Sequence, residues 1–374
     1  MHFRTLVTVD IPAIAEDETK NQEIRDAIDA LEKKMVNQPP NFVAELFLSG
    51  LYSKVNTFSR SVCESVADVM APYCESTEDP EYTKFVDYTE NLKADFAEKV
   101  DCLRLAEGKI VEHCSYPYYY KYSIRDGKVF QKEAGPLHHE KRTKKAKRIT
   151  ALPEYPRVKL YKSFEDYAGN YRGFVFDTEH KAFGCYCNPN AMWDWYQIGG
   201  RWPAMFLVKD TCTEYSYGER SWSNGDKAFA APEGFHWVAA ARKRDIEWQA
   251  MREWRDKETA ERFYRLEKMF ATRYLEEGFY GEITDDGIVC CREYTYRKGE
   301  TVDVYLERMG IPKSWKYPLR VSDVVDADNW FSQEDSVVNP ETEKWEPIDW
   351  HHFIDQYVDD LDDDMVLVGV DYHM

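Results

Sequence analysis

Phe183 to Trp202 reads FGCYCNPNAMWDWYQIGGRW, and the rest of the chain is best read outward from it. Three tryptophans (Trp193, Trp195, Trp202), two tyrosines, two asparagines, a Gly-Gly pair and an arginine share its twenty positions. Phe183 to Cys187 alternates large residues with Gly184, which predicts a short strand. Asn188-Pro189-Asn190 breaks it, because proline has no amide donor and asparagine tolerates turn geometry. Asn190 is placed to cap a helical turn through Trp193, Asp194 and Trp195. Gly199-Gly200 then ends that turn, and Arg201-Trp202-Pro203 leads into an apolar run, Ala204 to Val208, read as a second strand.

This combination suits a ligand that is flat at one end and anionic at the other. A guanidinium such as Arg201 grips an oxyanion through a two-pronged fork, and tryptophan stacks on planar rings. The candidate set is Asn188, Asn190, Trp193, Asp194, Trp195, Tyr196, Gly199, Gly200, Arg201 and Trp202. Within it Arg201 is the oxyanion contact, Asn188 and Asn190 supply amides, Trp193 and Trp195 form a stacking wall, and the glycines allow close backbone approach. A nucleotide-type molecule fits those groups better than a sugar or a lipid. The competing reading is a structural corner whose tryptophans fill a core and whose Asp194 pairs with Arg201. A rigid corner is also a sound mount for a site.

The same stretch carries a resemblance. NPNAMWDWYQIGGRW is similar to the NPNAxWDWYxIGGRW signature of a family of proteins in tailed bacteriophages and some bacteria. Val69 to Tyr73 resembles that family's LMAPY turn, Ala241 to Met251 (ARKRDIEWQAM) its ARKxDIDWxxM helix start, and DDDMVLVGVDYHM its last strand. Trp345 and its neighbours match the family's Trp- and Gly-rich block only loosely. The resemblance implies source and fold rather than chemistry: an accessory protein at work in an infected bacterial cell, in host takeover or counter-defence. It leaves three routes open. The chain binds a nucleotide-type ligand or a host or defence protein at the corner, or it is an acidic nucleic-acid mimic or partner-blocking inhibitor with no small-molecule site, or it is a nucleotide hydrolase or transferase.

Composition bounds these routes. At 374 residues the chain is long enough for a large core, and 15% of its residues are aromatic. No run of eighteen apolar residues exists and the start lacks a signal-peptide pattern, so a cytoplasmic chain without a membrane span is expected. Nine cysteines without a disulfide rhythm read as reduced thiols. A net charge of −19 argues against general affinity for a nucleic-acid backbone. The exception is Lys141 to Arg148, KRTKKAKR, six basic residues in eight positions, read as a solvated linker with His138 and His139 before it.

Along the chain, His2 to Asp10 alternates as a strand and Glu16 to Val36 has a helical stripe, stopped by Asn37 to Pro40. Phe42 to Leu51 is ambiguous, Ser61 to Met70 and Thr89 to Val100 are helical, and short strands follow, among them Tyr118 to Ile124. Lys162 to Asn170 is a short helix with Ser163 as its cap. Asp245 to Glu277 is the longest helical pattern, closed by Gly278, and Val302 to Leu306 reads as a strand. Trp350 to Leu361 is an amphipathic helix and Met365 to Val370 a buried strand. Strand clusters with uneven helices predict an α+β fold, mainly antiparallel sheets flanked by helices, with the first and terminal strands in the core. The parts are 1–135, a basic linker 136–155, and the signature-bearing 156–374, the first and last free to pack as one unit.

Other constellations offer less. Cys185-x-Cys187 near His180 lacks the chelating turn and the second pair of a zinc site. Asp371 and His373 share a strand face, and Asp10 could join them around a divalent metal if the terminal strands are neighbours; the alternative is a solvated strand end. Asp359 to Asp364 holds five carboxylates in six positions without the EF-hand pattern. No P-loop, G-x-S-x-G, H-E-x-x-H or dinucleotide fingerprint occurs, so no cofactor is expected and no catalytic residue stands out.

Overall fold

The last strand, Val366–His373, lies beside the first, His2–Val9, in an antiparallel ladder that runs from His2 opposite His373 to Val9 opposite Val366. A computed structural model describes residues 1–12, 15–35, 42–132, 140–220, 230–291, 293–338 and 345–374. On its other side the last strand takes two partners in series, both antiparallel. Ala240–Arg242 pairs with its first half, and the signature strand Trp195–Gly200 pairs with its second half. The first strand is flanked by Asp323–Val325 in parallel, one of two parallel pairings among the described strands; the other joins Glu219–Arg220 to the signature strand. The fold is α+β with mainly antiparallel sheets, and both terminal strands lie in the principal sheet.

Both faces of that sheet are covered, which is why the last strand is apolar at nearly every position rather than alternating. Val7, Val9, Val366, Val368 and Val370 pack on the helix Thr57–Met70 through Phe58, Val62 and Val66. Leu6 and Leu367 face the other way, into a core with the hairpin Phe206–Lys209/Phe235–Val238, the start of the long helix Trp248–Thr272, and the helix Trp350–Asp360. Gly369 must lack a side chain because a Cβ there would lie 2.7 Å from the Met205 sulfur. Among the described residues no helix is long and apolar enough to cross a membrane.

The chain divides into two compact units, Met1–Glu75 with Asn190–Met374, and Ser76–Pro189, so its boundaries fall elsewhere than at 135 and 155. The basic run is not a linker: Glu140–Lys141 is a strand, Ala146–Arg148 a 3-10 turn, and Thr150–Pro156 a strand beside Lys99–Arg104. His138, His139 and Asn37 to Pro40 lie outside the described residues. This second unit is organised by buried Arg157, whose Nε donates to buried Glu112 at 3.1 Å and whose Nη1 reaches Asp95.

Four elements differ from the sequence reading. Trp193 to Trp195 is not helical, because Trp195 already pairs with His373 and the ladder claims the backbone amides. Val302–Met309 is a helix, since the Thr301 hydroxyl caps it by accepting from the Val304 amide; the apolar alternation there was misleading. Tyr118–Lys121 is one helical turn, leaving Tyr116, Tyr119 and Tyr120 exposed rather than lining a strand. The long helix ends earlier than Gly278, at Arg273 in a left-handed conformation. The ambiguous segment resolves as the helix Phe42–Tyr52, and the Ser163 hydroxyl accepts from the Asp166 amide at the head of a π-helical turn, Asp166–Tyr171.

One buried ion pair ties the sheet together. Arg242 grips Glu214 with Nε at 2.6 Å and Nη2 at 2.9 Å, while its Nη1 donates to the Ile11 and Asp364 carbonyls. The hydrogen bonds from Arg242 hold the Glu214 carboxyl below its usual range. Arg242→Ala should therefore lower unfolding stability by about 1–3 kcal/mol, the cost of charge-assisted hydrogen bonds to a carboxylate that is only partly buried and keeps Arg244 beside it. Urea unfolding measures it. Because the Glu214 pKa is depressed in the folded state, the wild-type advantage should be full above the carboxylate range and shrink as pH falls through it.

Candidate functional site

The corner after the signature strand is built on a carboxylate. Asp371 is fully buried, and its Oδ2 accepts the Arg201 amide at 3.0 Å while its Oδ1 accepts from His2 Nδ1 at 2.9 Å. The backbone reaches that position because Gly199 and Gly200 adopt φ of +77° and +50°, and the Trp202 amide closes the turn on the Gly199 carbonyl at 2.8 Å. A Cβ on Gly200 would stand 2.5 Å from the Asp371 Cβ. The glycine pair is thus a condition of the Asp371 contact, and it ends a strand, not a helical turn.

Beyond the corner lies a cavity of about 260 Å³ whose polar and aromatic walls are Arg4, Arg201, Trp202, Trp237, Arg255 and Glu258. Arg4 reaches it from the first strand, with its guanidinium carbon 4.8 Å from the centre of the Trp202 ring. Arg255 comes from the long helix, 4.9 Å from the centre of the Trp237 ring. Its Nη2 donates to the Ala204 carbonyl at 3.1 Å, but its buried Nε has no partner among the described residues. Burial, then repulsion from Arg255 and Arg320, pushes Arg4 down to about 10 against the pull of Asp371. Burial lowers Arg255 as well, with Glu258 opposing. Three arginines and Glu258 are among the described lining residues, and buried Asp371 acts on Arg4 from beside the corner.

The structure brings together only part of the candidate set. Arg201 and Trp202 line the cavity, whereas Gly199 and Gly200, both in left-handed conformation, form the turn before them and are not among its lining. Trp193 and Tyr196 turn to the opposite sheet face: the Trp193 indole donates to the Met70 carbonyl at 2.8 Å and packs edge-on against Tyr196 at 4.9 Å. Through that bond, and through the Met192 and Trp193 amides on the Tyr73 carbonyl, the signature clamps the Val69 to Tyr73 turn. Asp194 pairs with His373 at 2.9 Å. Trp195 is half-exposed with its ring edge toward His2 at 5.9 Å. Asn188 is buried in the second unit, at the end of its strand Ala182–Cys187, and Asn190 is exposed in the first. Arg4, Trp237 and Arg255 were not legible as site residues. Arg255 left one trace: it stands one turn after buried Met251, so a cation occupies an inward helical position.

Asp10 does not join Asp371 and His373. The antiparallel register sends it past Val9 and Val366 to the far end of the sheet. There it lines another cavity, about 550 Å³, with Asp68, Asp326, Asp328, Asp360 and Tyr357. Among the described residues no group of three His, Cys, Asp or Glu could hold a metal ion, Cys185 and Cys187 included.

Against this geometry, no family model, curated protein or solved structure matches the chain.

Gly200→Ala should destabilise the protein by about 1–3 kcal/mol, since it forces a non-glycine residue into strained backbone and displaces Asp371. Thermal unfolding followed by circular dichroism measures this, and Gly234→Ala, positive in φ but with open space around it, separates clash from strain.

Proposed function

We propose that this protein is a bacteriophage-type accessory protein that binds a nucleotide-type ligand by its phosphate in the arginine pocket. The carrying observation is that Arg4, Arg201 and Arg255 line one small cavity together with Trp202 and Trp237, in a chain of net charge −19. Burial first, and then repulsion from Arg255 and Arg320, make the Arg4 charge costly to hold, which is visible in its lowered pKa. A bound oxyanion relieves that cost, offers an acceptor to the unpartnered Arg255 Nε, and gains charge-assisted hydrogen bonds. Trp202 and Trp237 supply flat apolar walls for the rest of the ligand. Action inside an infected bacterial cell follows from the signature resemblance.

Calorimetric titration with nucleoside monophosphates, cyclic nucleotides and the parent nucleosides tests the reading. Phosphorylated members should bind and nucleosides should not. Arg255→Ala or Arg201→Ala should weaken binding about 10- to 100-fold, the loss of one charged hydrogen bond. Arg201 is exposed, so its alanine variant should keep stability within about 1 kcal/mol. Equal affinity for nucleosides, or full affinity in both variants, contradicts the reading.

A second reading has its own observation. The aspartate-lined cavity around Asp10, Asp68 and Asp326 gives the acidic partner-blocking alternative a concrete surface for a basic segment of a host or defence protein. Asp68→Asn with Asp328→Asn should abolish binding to such a partner while leaving nucleotide affinity unchanged, measured on the same calorimeter.

A further inference from the structure

One row beyond Arg4 and Asp371 on the same face, the end of the sheet aligns two histidines. His2 and His373 are directly opposed across the first and last strands, and Trp195 extends the row onto the signature strand. Arg4, Asp371 and Gln197 form the next row on the same face. His2 Nδ1 lies 2.9 Å from Asp371 Oδ1, and His373 Nδ1 lies 2.9 and 3.0 Å from the two Asp194 oxygens. An ionised carboxylate can only accept, so each neutral ring carries its proton on Nδ1 and presents a bare Nε2. The ring centres are 5.2 Å apart at 63°, and both side chains reach solvent. Stability alone does not call for the outer of these pairs: His373 and Asp194 are both exposed, and exposed ion pairs contribute about 0–1 kcal/mol. Asp371 also links the pair to the pocket: one oxygen holds His2 and the other the Arg201 amide.

We propose that His2 and His373 are the acid–base pair of a phosphoester hydrolase whose substrate phosphate sits against Arg4, Arg201 and Arg255; this rests on the pocket binding a phosphate. His2 is the base. Its Nε2 takes a proton from water as the water oxygen bonds to phosphorus, and buried Asp371 stabilises the imidazolium that forms, as a carboxylate behind a catalytic histidine does. His373, the more exposed ring, enters as imidazolium and gives its Nε2 proton to the leaving ester oxygen as the P–O bond breaks. Ester and water become a phosphate one ester bond shorter and an alcohol. The two rings exchange protonation states and reset through solvent, with no redox step and no reactant beyond water. The arginines stabilise charge on the phosphorus oxygens. Asp371 and Asp194 are positioning residues.

The test is turnover of bis(4-nitrophenyl) phosphate and of cyclic nucleotides and dinucleotides, followed by released nitrophenolate and by ³¹P NMR. Wild-type protein should turn over at least one ester with a bell-shaped pH dependence, since one ring must be neutral and the other charged. His2→Gln and His373→Gln should each lower kcat about 100-fold or more with KM little changed. Asp194→Asn should lower kcat and distort one limb of the bell. Imidazole ¹⁵N spectra should show Nε2 unprotonated in both neutral rings. A protein that binds the phosphate ligands but cleaves no ester, or histidine variants within twofold of wild type, overturns the acid–base pair and leaves the binding reading intact. Failure to bind any phosphate ligand overturns both. Nε2-protonated neutral rings overturn the pair whatever the turnover.

Discussion

Everything at the signature end of this protein depends on one buried carboxylate. Asp371 sits in the last strand with no exposed surface, and it is satisfied by His2 from the first strand and by the Arg201 amide from the corner. A buried charge left alone would cost several kcal/mol, so these partners are obligatory, and they come from the first strand and from mid-chain to meet a residue of the last strand. The closure of the sheet by its terminal strands and the shape of the corner are therefore one event. Gly200 belongs to the same event, since any side chain there meets Asp371. Arg4, directly across the ladder from Asp371, draws part of its charge stabilisation from it.

The arginines held wholly or partly out of solvent include two kinds, and the difference separates framework from candidate site. Arg242 is held by a carboxylate and two backbone carbonyls, and its hydrogen bond to Glu214 raises its pKa. In the second unit, burial works against the charge of Arg157, yet Glu112 and Asp95 outweigh it and the pKa rises. These are satisfied structural cations. Arg4 and Arg255 go the other way: burial lowers both, repulsion adds to it for Arg4, and Arg255 keeps a buried Nε without an acceptor. Frustration of this kind is a reason to place a ligand there, because an anion converts repulsion into attraction and satisfies the orphan donor.

Much of the framework was legible in the sequence because it rests on local pattern. The alternation of His2 to Asp10 and the apolar run before Asp371 mark strands, and the helical stripe of Trp350 to Leu361 marks a helix. Where tertiary pairing overrides local preference, the pattern misleads. Trp195 has the neighbours of a helical turn, but the last strand claims its backbone. The site was half legible. Arg201 and Trp202 announce themselves by composition, whereas Arg4 and Arg255 reach the same cavity from a strand and a helix far away in sequence, and only the sheet register and helix packing bring them together. The same register explains Asp10: antiparallel pairing carries it away from Asp371 and leaves His2 as the partner.

The central claim is that the cavity at Arg201 holds an oxyanion, and an anomalous scatterer of that chemistry tests it most directly. In a crystal soaked with tungstate, the account expects the principal anomalous peak within hydrogen-bonding reach of the Arg201 and Arg255 guanidiniums, with Arg4 beside it. A cavity empty of tungstate, with peaks confined to surface lysines, contradicts it.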